Sequence, residues 1–140
     1  GPAVAGWDDA GEALRDAACA AALAAGEPAR PWHDASVPGL RHLLWRLRDD
    51  ARVRAFAARR LAPVLEHDAA RHGAPLLPTL GALCDSGWHK AQAARALHLE
   101  RQSIYPRLER LRALLAADLD DPQTQAALHV AVLVQRLGGV

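Results

Sequence analysis

Aromatic residues make up only 4% of this 140-residue chain, against 51% hydrophobic residues overall. A core made from it must be built of Leu, Ala and Val. Clusters of β-branched residues are also scarce, and alanine at this density favours helix over sheet. Cysteine is limited to Cys19 and Cys84, far apart and without a CxxC pair. That argues against a disulfide framework and reads as buried, reduced thiols in a cytosolic protein. No run of about 18 apolar residues occurs, so no membrane span is expected. GxGxxG, P-loop and GxSxG motifs are missing, and nothing else supports an enzyme.

Seven histidines, His33, His42, His67, His72, His89, His98 and His129, invite a metal reading. None pairs with another at i, i+4 around a glutamate, and none accompanies a cysteine cluster, so neither metal nor other cofactor is expected. His67 and His72 read as a solvated helix end. Asp120-Asp121 reads as a helix cap rather than a catalytic carboxylate pair. The four tryptophans are dispersed. Trp45 suits a core or an interface, and Trp88 suits packing over a turn. Neither forms a stacking platform for single strands.

What the chain does have is locally concentrated positive charge. The net charge is +1, but residues 87–117 hold 6 basic and 2 acidic side chains, while the flanking segments are slightly acidic. That is the footprint expected of a phosphate-binding surface.

Helical periodicity and breakers suggest an order of elements. An Ala-rich helix over 8–25 ends at Gly26. Prolines make 27–38 a loop, with room for a short strand at Arg30–His33. Helices follow over about 38–48, 51–61, Pro63 to 71, and 75–86. A helix pair then spans about 90–97 and 101–116. A last helix spans 122–137, with Asp121 as its cap and Pro122 at its first position. Its AALHVAVLV segment is apolar on more than one face and needs burial on both sides, by this chain's core or by a second copy. Gly1-Pro2 reads as a protease scar, which would make the chain a piece of something longer.

The helix pair carries the functional reading. Ile104, Leu108, Leu111 and Leu115 recur at steps of four, three and four and form one stripe. Gln102, Ser103, Arg107 and Arg110 would face away from it. Such a helix suits a DNA major groove. Small Ala94 lets the two helices approach, and Leu97, Leu99 and Ile104 fill the wedge between them. His98 occupies the turn, where a left-handed residue is often needed. Arg101, Gln102, Ser103 and Arg107 would enter the groove first. Lys90, Arg95, Arg110 and Arg112 are better placed for phosphates. Lys90 stands where a Ser or Thr cap would be favoured.

These residues resemble a known family. The run LLPTLGALCDSGWHKAQAARALHLERQSIYPRLERLRALLAADLDDPQTQAALHVAVLVQRL is similar to the C-terminal helix-turn-helix domain of PucR/CdaR-type bacterial transcriptional regulators. Its most specific pieces are ARALHLERQSIYPRL (94–108), DLDDP (118–122) and ALHVAV (127–132). RHLLWRLRDD…RAFAARRLAPVLEHD (41–68) looks like the segment that precedes this domain, and 8–36 like the tail of a GGDEF-like domain. The resemblance implies an all-α bundle with a Fis-like helix-turn-helix. It also implies a cytoplasmic duplex-DNA-binding module, usually an activator, working as a homodimer, with any effector bound by domains absent here. The expected division is 1–36 as scar and GGDEF-like remnant, 37–73 as connecting helices and 74–140 as the DNA-binding domain. The expected DNA contacts are Lys90, Arg95, Arg101, Gln102, Ser103, Arg107 and Arg110. Three positions depart from the family pattern: Lys90 replaces a Ser cap, Glu100 replaces a common His, and Pro106 stands in the recognition helix. Pro106 should kink that helix or delay its start. A helical interaction module with weak or no DNA binding is the competing reading.

Overall fold

The computed structural model describes residues 39–71 and 73–138, with scattered helical positions between 11 and 21. Regular structure among the described residues is entirely helical, without a strand. The expected scar, the GGDEF-like tail, the strand at Arg30–His33, Cys19 and His72 lie outside the described residues. The chain divides into two compact units, 1–49 and 50–140.

In the first unit, α1 spans Leu40–Arg46. Leu44 is buried, whereas Leu40, Leu43 and Leu47 are exposed. Arg48 stacks on Trp45, 3.9 Å from the ring centre, and donates to the Trp45 carbonyl.

The second unit opens at Asp50, whose Oδ1 accepts from the amides of Arg52 at 2.8 Å and Val53 at 3.3 Å. This cap starts α2, Ala51–Ala69. Here the structure corrects the sequence reading. One 19-residue helix runs through Pro63, where two helices were expected. Ala57, Leu61, Val64 and His67 are all buried along one face that crosses the proline without a break. An interior proline costs about 3 kcal/mol. Burying Leu61 and Val64 returns about 1.5–3 kcal/mol each, so packing keeps the helix continuous. His67 is likewise not a solvated helix end. It is buried, with Nδ1 2.9 Å from Asp68 Oδ1.

α3 spans Leu77–Asp85 and has no cap from its own N-terminal residue. Asp68, at the end of α2, supplies one instead. Its two carboxylate oxygens accept from the amides of Leu76 at 2.8 Å and Leu77 at 2.9 Å. Burial works to raise the Asp68 carboxyl, but the bonds from His67 and the two amides prevail and hold it below the usual carboxylate range. Cys84 is buried, and loss of hydration pushes its thiol up to about 12, so it stays protonated and unreactive at neutral pH.

Two helices of the pair follow: α4, Lys90–Ala96, and α5, Ile104–Leu115. The last helix, α6, spans Pro122–Arg136, and Asp121 caps it as expected, accepting from the Thr124 amide at 2.7 Å. Leu128, Ala131, Val132, Leu133 and Val134 are buried, and α6 packs most extensively on α2 and also on α3. Its two-sided burial is therefore met within the unit. Arg136 reaches from α6 to Asp85, with bonds of 2.7 and 2.9 Å. Gly81 makes room for that guanidinium, since a Cβ there would lie 2.7 Å from its Nη2.

α5 ends on Ala116 in the left-handed region, at φ 47°. That conformation strains any residue with a Cβ. Ala116→Gly is expected to stabilise the unit by about 1 kcal/mol, read as a rise in the urea midpoint at unchanged slope.

Candidate nucleic-acid interface

The turn between α4 and α5 is set by His98. Its φ of 55° places it in the left-handed region, as the sequence suggested. The amides of Leu97 and Leu99 bond back to the carbonyls of Ala93 and Ala94, at 3.1 and 2.9 Å. Ala93 and Ala94 are buried, and their methyl groups let this helix lie close to its neighbours. Ile104 fills the wedge completely, while Leu97 and Leu99 are half-buried.

The entry to the second helix departs from the expected single helix over 101–116. Arg101–Ser103 form a 3₁₀ turn, and α-helix begins only at Ile104. Pro106 explains the delay. It has no N–H to close an α-type bond to Gln102, so the chain winds more tightly there. At the third position of α5 its missing amide is one that helices leave unpaired anyway. The proline therefore costs little, and Ile104–Leu115 forms one uninterrupted helix. The helix also leaves Arg101, Gln102 and Ser103 exposed on the turn ahead of it.

Ile104, Leu108 and Leu111 are buried, which seats α5 on the core by its expected stripe, and Leu115 is half-buried. The basic residues do not share one surface. Arg107 lies roughly 70° from the centre of the stripe at 3.6 residues per turn, on its flank rather than opposite it. It is half-buried, and its Nη1 donates to the buried Thr79 hydroxyl at 3.2 Å. This corrects the expectation that Arg107 faces away from the core. Arg112, on the other flank, pairs with Glu109 and Asp120 at 2.6 Å each, and these partners hold its guanidinium firmly charged. Lys90 lies 3.8 Å from the same Asp120. Asp120 is thus a shared counterion for two cations, a role distinct from the capping done by Asp121.

Arg95, Arg101 and Arg110 are exposed and form no hydrogen bond or ion pair among the described residues. Arg95 and Arg101, with Lys90, meet around an open cleft of about 420 Å³. Trp88, His89, Ala91, Gln92 and Tyr105 complete its lining, and no carboxylate among the described residues lines it. Trp88 is half-buried and left-handed at φ 66°, with its amide 2.7 Å from the Leu83 carbonyl. That backbone geometry fixes the turn into α4. Tyr105 is 45% exposed and was not singled out by the sequence. Its place one residue after the stripe's first member was the available signal.

Helix pair, left-handed turn, buried stripe and exposed basic entry together define a helix-turn-helix. Residues 76–134 match the family model of the PucR C-terminal helix-turn-helix domain. The segment is thus similar to a family of regulatory, DNA-binding helix-turn-helix domains. No curated protein and no solved structure matches the chain. The PucR match begins at residue 76, so it covers neither the 41–68 segment nor the expected GGDEF-like tail. Physically, however, the matched segment shares its compact unit with α2, because α6 rests on that helix. No helix among the described residues is long and apolar enough to cross a membrane.

Proposed function

We propose that this chain is a cytoplasmic, sequence-specific regulator of transcription that places the Arg101–Ser103 turn and the start of α5 in the major groove of duplex DNA. The observation that carries this is the contrast across one helix-turn-helix. Ile104, Leu108 and Leu111 of its stripe are buried, while Arg95, Arg101 and Arg110 have no partner among the described residues. Free guanidinium groups on a segment of excess positive charge call for an external anion, and duplex DNA supplies a regular row of them. Gln102 and Ser103, exposed and neutral, are the groups available to base edges. Lys90 contributes less, because Asp120 already partly compensates it.

Equilibrium binding to duplexes selected from a random library, measured from low to physiological salt, tests this. Binding should weaken linearly on logarithmic axes as salt rises, and Arg110→Ala should reduce that slope by about 1 without changing the selected sequence. Absence of binding at low salt by the folded protein would favour the interaction-module reading, to which the exposed Glu100 lends weight. The activator role and the homodimer, both drawn from the family resemblance, extend the same proposal. Two copies would set the spacing of two half-sites. Sedimentation with and without a two-site duplex tests the dimer.

A further inference from the structure

We infer that the cleft between the start of α4 and the turn entering α5 seats one backbone phosphodiester of the duplex, gripped by Arg95 and Arg101 with Tyr105 as a neutral third donor. The inference rests on the duplex-DNA reading and sharpens it by moving Arg101 from base reading to backbone anchoring.

Three features of the cleft support a single phosphate group. First, Arg95 and Arg101 come from the two different helical segments of the pair, yet line the same concavity. Their charges have no counterion among the described residues. Second, no carboxylate among the described residues lines the cleft; Asp120 engages Lys90, and the exposed Glu100 precedes Arg101 without being a lining residue. An anion entering there meets three cations and no lining carboxylate. Third, Tyr105 sits in the cleft while remaining 45% exposed, so its hydroxyl is available as a donor that adds no charge. Gln102 and Ser103 do not line the cleft. They lie on the exposed turn beside it, free for base edges. Anchoring the strand on one side of the turn and reading bases with the other divides position from sequence, as DNA-binding surfaces commonly do.

The test uses the duplex selected by the protein itself, remade with one neutral methylphosphonate at each backbone position in turn. Circular dichroism confirms that each variant remains folded. One position should weaken wild-type binding about tenfold. Arg101→Ala and Arg95→Ala should each lose affinity on the unmodified duplex, yet lose little more on the duplex neutralised at that position. Tyr105→Phe should lose about threefold there only while the phosphate is charged. Base preference should be unchanged in all three variants. Duplex binding with no phosphate position coupled to these residues, or relaxed base preference in Arg101→Ala, overturns the inference and leaves the functional reading standing. Loss of all duplex binding by the folded wild type sinks both. Inorganic phosphate should compete no better than chloride at equal ionic strength. Strong competition would mean a site for free phosphate and would overturn the assignment to the DNA backbone.

Discussion

Leu111→Ala is expected to cost the 50–140 unit about 2–5 kcal/mol. Leu111 has no exposed surface and lies in the middle of the stripe between Leu108 and Leu115. Truncation removes its transfer energy and leaves a cavity under the helix that follows the Arg101–Ser103 turn. For a unit of this size that corresponds to a fall in Tm of roughly 10–25 °C, read by calorimetry. Duplex affinity should fall with it at temperatures where part of the protein is unfolded, and recover on cooling. A loss below about 1 kcal/mol would mean that α5 is not seated by this face.

Asp68→Ala is expected to cost about 2–3 kcal/mol at neutral pH. The carboxylate serves two helices at once. It caps the start of α3 through the amides of Leu76 and Leu77, and it holds the buried His67 on α2. Leu76 is only 2% exposed, so its amide has little access to water as a substitute. The effect must also depend on pH with a definite sign. The folded protein holds the Asp68 carboxyl below its ordinary value. Its stabilising contribution is therefore complete above the unfolded carboxylate range near 4 and fades as pH falls through the lower folded value. The gap between wild type and Asp68→Ala, measured by urea denaturation, should hold steady from pH 7 to 5 and narrow toward pH 3. A gap that widened on acidification would show that the carboxylate is not what the site stabilises. Asp68→Asn should fall between the two, since it keeps one acceptor oxygen and turns a donor toward the other amide.

Much of the candidate site was legible because it follows from local rules. The spacing of Ile104, Leu108 and Leu111 identifies a buried stripe whatever lies beneath it. Asp121 before Pro122 is a helix start by side-chain and backbone chemistry alone. His98 tolerates the left-handed turn better than most residues. Pro106 left two outcomes open, and the later helix start won because that position needs no amide. The flanks of the stripe were not legible. Arg107 and Arg112 sit at similar angles on opposite sides, and periodicity cannot say that one finds Thr79 and the other Asp120. Nor could Pro63 be placed, since its sequence signal marks a break and only the partner helix α6 outweighs it.

The sequence by itself determined the helical class, the pairing of α4 with α5 and the concentration of positive charge upon them, because each depends on residues a turn or two apart. The tertiary structure alone decided which cations remain free, where Asp68 and Asp120 spend their charge, and how Arg95, Arg101 and Tyr105 come to share one cleft. Those outcomes depend on distances between segments separated along the chain, and such distances are fixed only once the apolar faces of α2, α3, α5 and α6 have closed on one another.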